Sequence, residues 1–167
     1  MNFDPKPISA ESVPAALEKA HRYRLLNEPS AAESICLDVL AVEPDSEQAL
    51  ETIILALTDQ FDHDTAAAAH RARDYVPALA DEYRRHYFSG IICERQAMAT
   101  LRRSTLGTSG PAYASFRDAM AWYESAEKLS PPGIDDAILR WNTCARVLAR
   151  HPALAPTPAD AYEPSFD

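Results

Sequence analysis

Apolar residues recur every three or four positions along most of the chain, and no segment of useful length alternates with a period of two. This spacing places apolar side chains on one face of a helix, whereas a half-buried strand requires strict alternation. Alanine is abundant, β-branched residues are few, and the chain has only four glycines. The pattern therefore predicts an all-α protein.

Prolines, glycines and capping residues divide this pattern into seven predicted helices. Ser12 opens the first, a capping box of Ser30 and Glu33 opens the second, and Asp45 with Gln48 caps the third. Residues 61–64 are predicted to be a turn, and residues 104–110 an irregular connector. The predicted helices cover about 12–26, 30–43, 45–60, 65–76, 79–103, 111–130 and 135–150.

Two of these helices share one spacing of small, central and terminating residues, which lie four, three and five positions apart. The sixth helix has it at Ala119, Tyr123, Ala126 and Pro131, and the second has it at Ala32, Cys36, Val39 and Pro44. Small residues let a neighbouring helix approach closely, and proline ends a helix. On these residues the chain resembles the tetratricopeptide repeat family, whose unit is a 34-residue helix–turn–helix.

The resemblance covers roughly residues 12–150 and implies about three degenerate units plus a capping helix. Such units stack as antiparallel hairpins into a right-handed superhelix, whose concave face is lined by the first helix of each pair. Gly90 is predicted to mark a contact between two helix backbones. An unrelated helical bundle is the alternative. Residues 1–11 are predicted to be flexible, and residues 151–167, with four prolines, to be a disordered acidic tail.

Charge narrows the range of partners. The net charge is −9, which disfavours nucleic acid and anionic membranes as partners. It is −8 over residues 1–80, +2 over 81–150 and −3 over 151–167, so we expect an acidic partner to dock on the middle stretch. The first residues are not expected to form a signal peptide, and the three cysteines are far apart. We therefore expect a cytoplasmic protein.

Motifs for catalysis or metal binding are weak. The five histidines include no HExxH motif, and the glycines of segment 106–111 lack the GK[ST] ending of a phosphate-binding loop. Arginines interleave with aromatic residues over 83–96, but an amphipathic helix explains that pattern. We expect no catalytic residues, no cofactor and no metal. An enzyme on a helical scaffold remains an alternative.

In the family, partner-facing residues surround the small close-packing residue of each first helix, here Ala20, Ile54 and Gly90. The resemblance thus implies a peptide-binding set of Leu17, His21, Arg24, Leu55, Tyr87, Ile91 and Arg95, with Glu51, Thr58 and Glu94 beside them. Counting from Pro131 adds Ile138, Asn142 and Arg146. One version of the family binds a carboxylate through lysine and asparagine side chains. That version is not matched here, because Leu17, His21 and Leu55 occupy the positions of these side chains.

The implied function is an adaptor or scaffold that binds a peptide segment of another protein in its concave groove. The segment is expected to carry apolar anchors and at least one acid. A specialised chaperone or assembly factor that holds an apolar segment is the alternative. Neither nucleic acid nor a membrane is an expected partner, and the protein is expected to be a monomer or a weak homo-oligomer.

Overall fold

The computed structural model describes residues 3–103 and 110–155, apart from the side chains of residues 62–64. These residues form seven α-helices and no strand, which confirms the predicted all-α class and the number of helices. The helices are α1 (Val13–Leu25), α2 (Pro29–Val42), α3 (Glu47–Thr58), α4 (Phe61–Tyr75), α5 (Glu82–Arg103), α6 (Gly110–Glu127) and α7 (Asp136–Arg150). Short 3-10 helices cover Ala10–Ser12, Val76–Ala78 and Pro152–Leu154.

The starts of α2 and α3 differ from the prediction. Pro29 occupies the first turn of α2, where its missing N–H costs nothing, so Ser30 and Glu33 lie inside the helix. The predicted capping box is therefore wrong. Glu33 instead accepts a hydrogen bond from Gln60, at 2.7 Å, which ties α2 to the end of α3. Ser46, rather than Asp45, precedes α3.

The predicted turn at residues 61–64 is also wrong, because α4 begins at Phe61. The Phe61 side chain is only 1% exposed, so it anchors the first turn of α4 in the core. Helix α5, in contrast, begins later than predicted, at Glu82 instead of about Leu79. Leu79 is buried in an extended conformation, and the Asp81 carboxylate accepts the Arg84 backbone N–H at 2.7 Å.

The helices pack mainly on their neighbours in chain order. Each helix contacts the next one, and α1 also contacts α3 while α3 contacts α5. Most buried side chains form one apolar cluster that extends from Ala20 to Leu154. A smaller cluster at the N-terminal edge consists of Val13, Leu17, Val39 and Ala49.

Tyr123 on α6 packs against α5, where its ring lies beside Gly90 and Tyr87. A Cβ atom placed on Gly90 would lie 2.5 Å from Cε1 of Tyr123, so Gly90 makes room for this ring. The prediction that Gly90 marks a contact of two backbones is corrected accordingly. The Tyr123 hydroxyl donates to Glu94 Oε2 at 2.6 Å, and Arg140 donates to Glu94 Oε1 at 3.2 Å. One carboxylate thus joins α5, α6 and α7.

The ordered core extends beyond α7. Leu154 is 6% exposed and belongs to the main apolar cluster, and its 3-10 helix packs on α6 and α7. The predicted disordered tail begins at residue 151, but residues 152–154 form a 3-10 helix and Leu154 belongs to the core. The rest of that prediction, over 156–167, lies outside the described residues, as does most of the predicted connector, over 104–109.

Candidate functional site

Two arginines and one aspartate connect α1, α3 and α5. Arg24 Nε on α1 donates to Oδ2 of Asp59, the residue after α3, at 2.8 Å. Arg95 on α5 donates to the other oxygen, Oδ1. The three side chains are only 14–25% exposed, so solvent screens this arrangement less than an open surface pair. We call it the Arg24–Asp59–Arg95 cluster.

A cavity of about 460 Å³ opens beside this cluster, and we call it the basic cavity. Its lining carries three arginines and one aspartate, a formal charge of +2 in a chain whose net charge is −9. The apolar part of the wall comes from α1, α4 and α5. Besides the cluster, the cavity is lined by Leu25, Asn27, Thr58, Phe61, Met98 and Arg102.

A second cavity, of about 440 Å³, lies toward the other ends of α3 and α5. Tyr83, Tyr87 and Phe88 line it, and the rings of Tyr83 and Tyr87 stack with centroids 5.9 Å apart. Arg84 Nη1 donates to Glu47 Oε2 at 2.9 Å, and Arg84 Nε lies 3.2 Å from Glu51 Oε1. Burial raises the pKa of the Glu51 carboxyl. We call this space the aromatic cavity.

The two cavities lie along one strip of surface. Glu51 and Asp59 are eight positions apart on and after α3, and Tyr87 and Arg95 are eight apart on α5, so each pair spans about 12 Å. Two ion pairs cross this strip, Arg84 with Glu51 near one end and Arg95 with Asp59 near the other. We call this strip, with half-buried Leu55 between its ends, the α3–α5 face.

Part of the predicted peptide-binding set converges here. Arg24, Arg95 and neighbouring Thr58 line the basic cavity, whereas Tyr87 and Glu51 line the aromatic cavity. His21 is exposed on α1 and lines neither of these two cavities.

Two predicted contact residues are buried instead. Leu17 is 7% exposed and packs in the N-terminal apolar cluster, and Ile91 is 2% exposed in the main cluster. Their side chains hold helices together and present almost no surface to a partner. They are therefore corrected from groove residues to core residues.

The residues predicted on α7 line neither of these two cavities. Arg140 on α7 reaches α5 through its hydrogen bond to Glu94. Successive helical residues turn by about 100°, so Asn142 and Arg146 lie about 200° and 240° around the axis from Arg140. These two residues, together with Ile138, face away from the side of α7 that meets Glu94.

Two acidic residues, Asp59 and Glu94, each bind side chains of two other helices, and the sequence pattern did not reveal this. Asp59 was not predicted, although it follows Leu55 by four positions and so shares its stripe on the helix. Glu94 was predicted to face a partner, but it is 6% exposed and satisfied by Tyr123 and Arg140. Arg140 lies 46 positions away, and no local signal pairs it with Glu94.

The cysteines are poor candidates for chemistry. All three are free and buried, and burial raises the pKa of the Cys36 and Cys144 thiols to about 12. A thiol with so high a pKa is not a nucleophile at neutral pH. In the part of the chain that the structure describes, no three His, Cys, Asp or Glu side chains converge as a metal ion would require.

Of the helices described, none combines the length and the apolar character needed to cross a bilayer. Comparison with known proteins returned nothing: no protein-family model, no curated protein and no solved structure matches the chain. The functional interpretation therefore depends on the geometry of the α3–α5 face.

Proposed function

We propose that this protein is an interaction module, an adaptor or scaffold, that binds a peptide segment of another protein along the α3–α5 face. The observation that carries the proposal is the basic cavity, where side chains of several helices converge around one shared carboxylate. The resemblance to tetratricopeptide repeats supports it, because in that family the first helices of the units bind the partner.

The basic cavity favours an acidic side chain of the partner. Arg24 and Arg95 share Asp59, yet each guanidinium has five N–H donors, so donors remain for a second carboxylate. Arginine matches a carboxylate in a two-pronged geometry, which gives specificity as well as energy. A partner acid would replace water beside two partly desolvated cations.

The aromatic cavity favours a large apolar or aromatic side chain. Tyr83, Tyr87 and Phe88 provide flat apolar surface, and Pro131 and Ile134 add to the apolar lining. The two cavities are about 12 Å apart, which is three to four residues of an extended peptide or two turns of a helix. The proposed ligand is therefore a segment with one acid and one aromatic or aliphatic anchor at that separation.

A chaperone function is the second candidate, because apolar residues are exposed at the C-terminal side. Ile134, Ile138 and Leu139 are 41%, 37% and 60% exposed, around the start of α7. Such a surface would hold apolar segments with little dependence on an acidic residue. The Arg95→Ala variant separates the two candidates: it should weaken binding by the proposed module and leave binding to the apolar surface nearly unchanged.

The test is to select binders from a library of random peptides against the full chain and to measure their affinity by calorimetry. Arg95→Ala should weaken binding by about 1–2 kcal/mol, or about 5–30-fold. Tyr87→Ala should do the same to peptides with an aromatic anchor. Thermal melts of each variant establish that it remains folded.

Arg117→Ala is the matched control, because Arg117 is exposed on α6, outside both cavities. Arg85 is unsuitable, since it donates to the Leu79 and Ala80 carbonyls at 2.7 and 3.2 Å. Selected peptides that bind Arg95→Ala and Tyr87→Ala as tightly as the unmodified protein would place the binding surface elsewhere.

A further inference from the structure

The chain contains a segment whose chemistry matches the proposed ligand. Residues 156–167 read PTPADAYEPSFD, with three acids, no base and two aromatic residues. Asp160 and Glu163 flank Tyr162, and Phe166 stands next to Asp167. The segment carries a formal charge of −3, opposite in sign to the +2 of the basic cavity lining.

The chain also enters this segment at the end of the molecule where the basic cavity lies. Asp136, at the start of α7, lines the aromatic cavity with Tyr83, near the start of α5. Arg140, one turn further along α7, reaches Glu94 in the middle of α5. The helices α5 and α7 therefore run in the same direction, and the end of α7 lies toward the Arg102 end of α5.

The distance is within reach of the segment. Arg95, Met98 and Arg102 on α5 form one wall of the basic cavity. Packed helix axes lie about 8–10 Å apart, so the cavity is roughly two helix separations, about 20 Å, from α7. Twelve residues span up to about 40 Å when extended. The segment can reach the cavity while Leu154 stays buried between α6 and α7.

We propose that residues 156–167 occupy the basic cavity of the same molecule, as an internal competitor for the partner segment. This inference rests on the proposed function and adds its regulation. The acids of the segment share the guanidinium donors of Arg24 and Arg95, and an aromatic ring covers the apolar wall at Met98. A partner must displace the segment, so its apparent affinity falls in proportion to the fraction of open molecules.

The test uses paramagnetic NMR on the full chain with a nitroxide attached at Ala161→Cys. The native cysteines are buried and do not compete for the label. We expect selective broadening of the amide signals of Thr58, Asp59 and Met98, independent of protein concentration. Lys128, exposed just beyond α6, is the control position and should keep its signal.

Neutralising the segment with Asp160→Asn, Glu163→Gln and Asp167→Asn together should remove the broadening. The same triple variant should bind the library-selected peptides several-fold more tightly, because the internal competitor is weakened. Absence of broadening at the cavity overturns the inference. Broadening that appears only when labelled and isotope-enriched molecules are mixed also overturns it, because a second copy then supplies the segment.

The inference and the proposed function fail in different ways. If the cavity signals are not broadened but selected peptides still require Arg95, only the internal competitor is wrong. If selected peptides do not require Arg95 or Tyr87, the proposed binding face is wrong, whatever the nitroxide reports.

Discussion

Replacing Gly90 with alanine should destabilise the fold, although the same change inside an ordinary helix is stabilising by about 1 kcal/mol. The added methyl group would lie 2.5 and 2.7 Å from two ring carbons of Tyr123. These separations are shorter than van der Waals contact, so an atom must move. The ring is fully buried and its hydroxyl is bonded to Glu94, so it has little freedom to turn aside.

The magnitude follows from two opposing terms. Forcing an extra methyl group into a packed core costs about 1–3 kcal/mol, and a contact as short as 2.5 Å belongs to the upper part of that range, about 2–3 kcal/mol. The gain in helix propensity offsets about 1 kcal/mol of this cost. We expect a net loss of about 1–2 kcal/mol in the free energy of unfolding. For a chain of this size, 1 kcal/mol lowers the midpoint by about 2–4 °C, so Tm should fall by about 2–8 °C.

Urea and thermal denaturation followed by circular dichroism measure this loss. Gly110→Ala is the matched control, because a Cβ atom there meets no heavy atom within 4 Å. In a Tyr123→Leu background the penalty at Gly90 should largely disappear, since the ring that the methyl group strikes is gone. A Gly90→Ala protein as stable as the unmodified one, or an undiminished penalty without the ring, refutes the reasoning.

Four further outcomes are expected. Ala119→Leu should cost about 1–3 kcal/mol, because Ala119 is fully buried, whereas exposed Ala121→Leu should change stability by less than about 0.5 kcal/mol; equal denaturation midpoints would contradict this. Leu154→Ala should cost about 2–4 kcal/mol, and an unchanged melt would mean that the 3-10 helix does not pack as described. Burial raises the pKa of the Cys36 and Cys144 thiols from 9.0 to about 12, so a thiol reagent at pH 8 should modify them only after unfolding, as mass spectrometry would show. The folded protein binds the two thiol protons more tightly than the unfolded chain does. The stabilisation that results is therefore complete below pH 9 and is lost as the pH rises toward 12. Denaturation at a series of pH values would detect this loss.

The class of fold and the number of helices were predictable because helical periodicity and proline breaks are local signals. The errors occurred where tertiary contacts decide. Phe61 looked like the start of a polar turn, yet its burial makes it the first residue of α4. Ser30 looked like a cap, but Pro29 takes the first turn of α2.

The resemblance to tetratricopeptide repeats led to only part of the candidate site. It led to Arg24, Tyr87 and Arg95, which line the two cavities, but also to Leu17 and Ile91, which are buried in the core. It did not reveal that Asp59 binds both arginines, because pairing between distant helices leaves no local pattern. On α7 the count started at Pro131 and crossed an irregular segment, and Asn142 lines neither cavity.

The chain-order packing of the helices has a consequence for how the protein is made. Because each helix packs on the one before it, it can dock as soon as it has been synthesised. A hairpin of about 35 residues takes roughly 2–7 s to synthesise at 5–20 residues per second, whereas a helix forms in about a microsecond. Folding should therefore keep pace with translation. At each moment the nascent chain exposes the uncovered face of only its latest hairpin, and that face is the target of a chaperone or of aggregation until the next helix arrives.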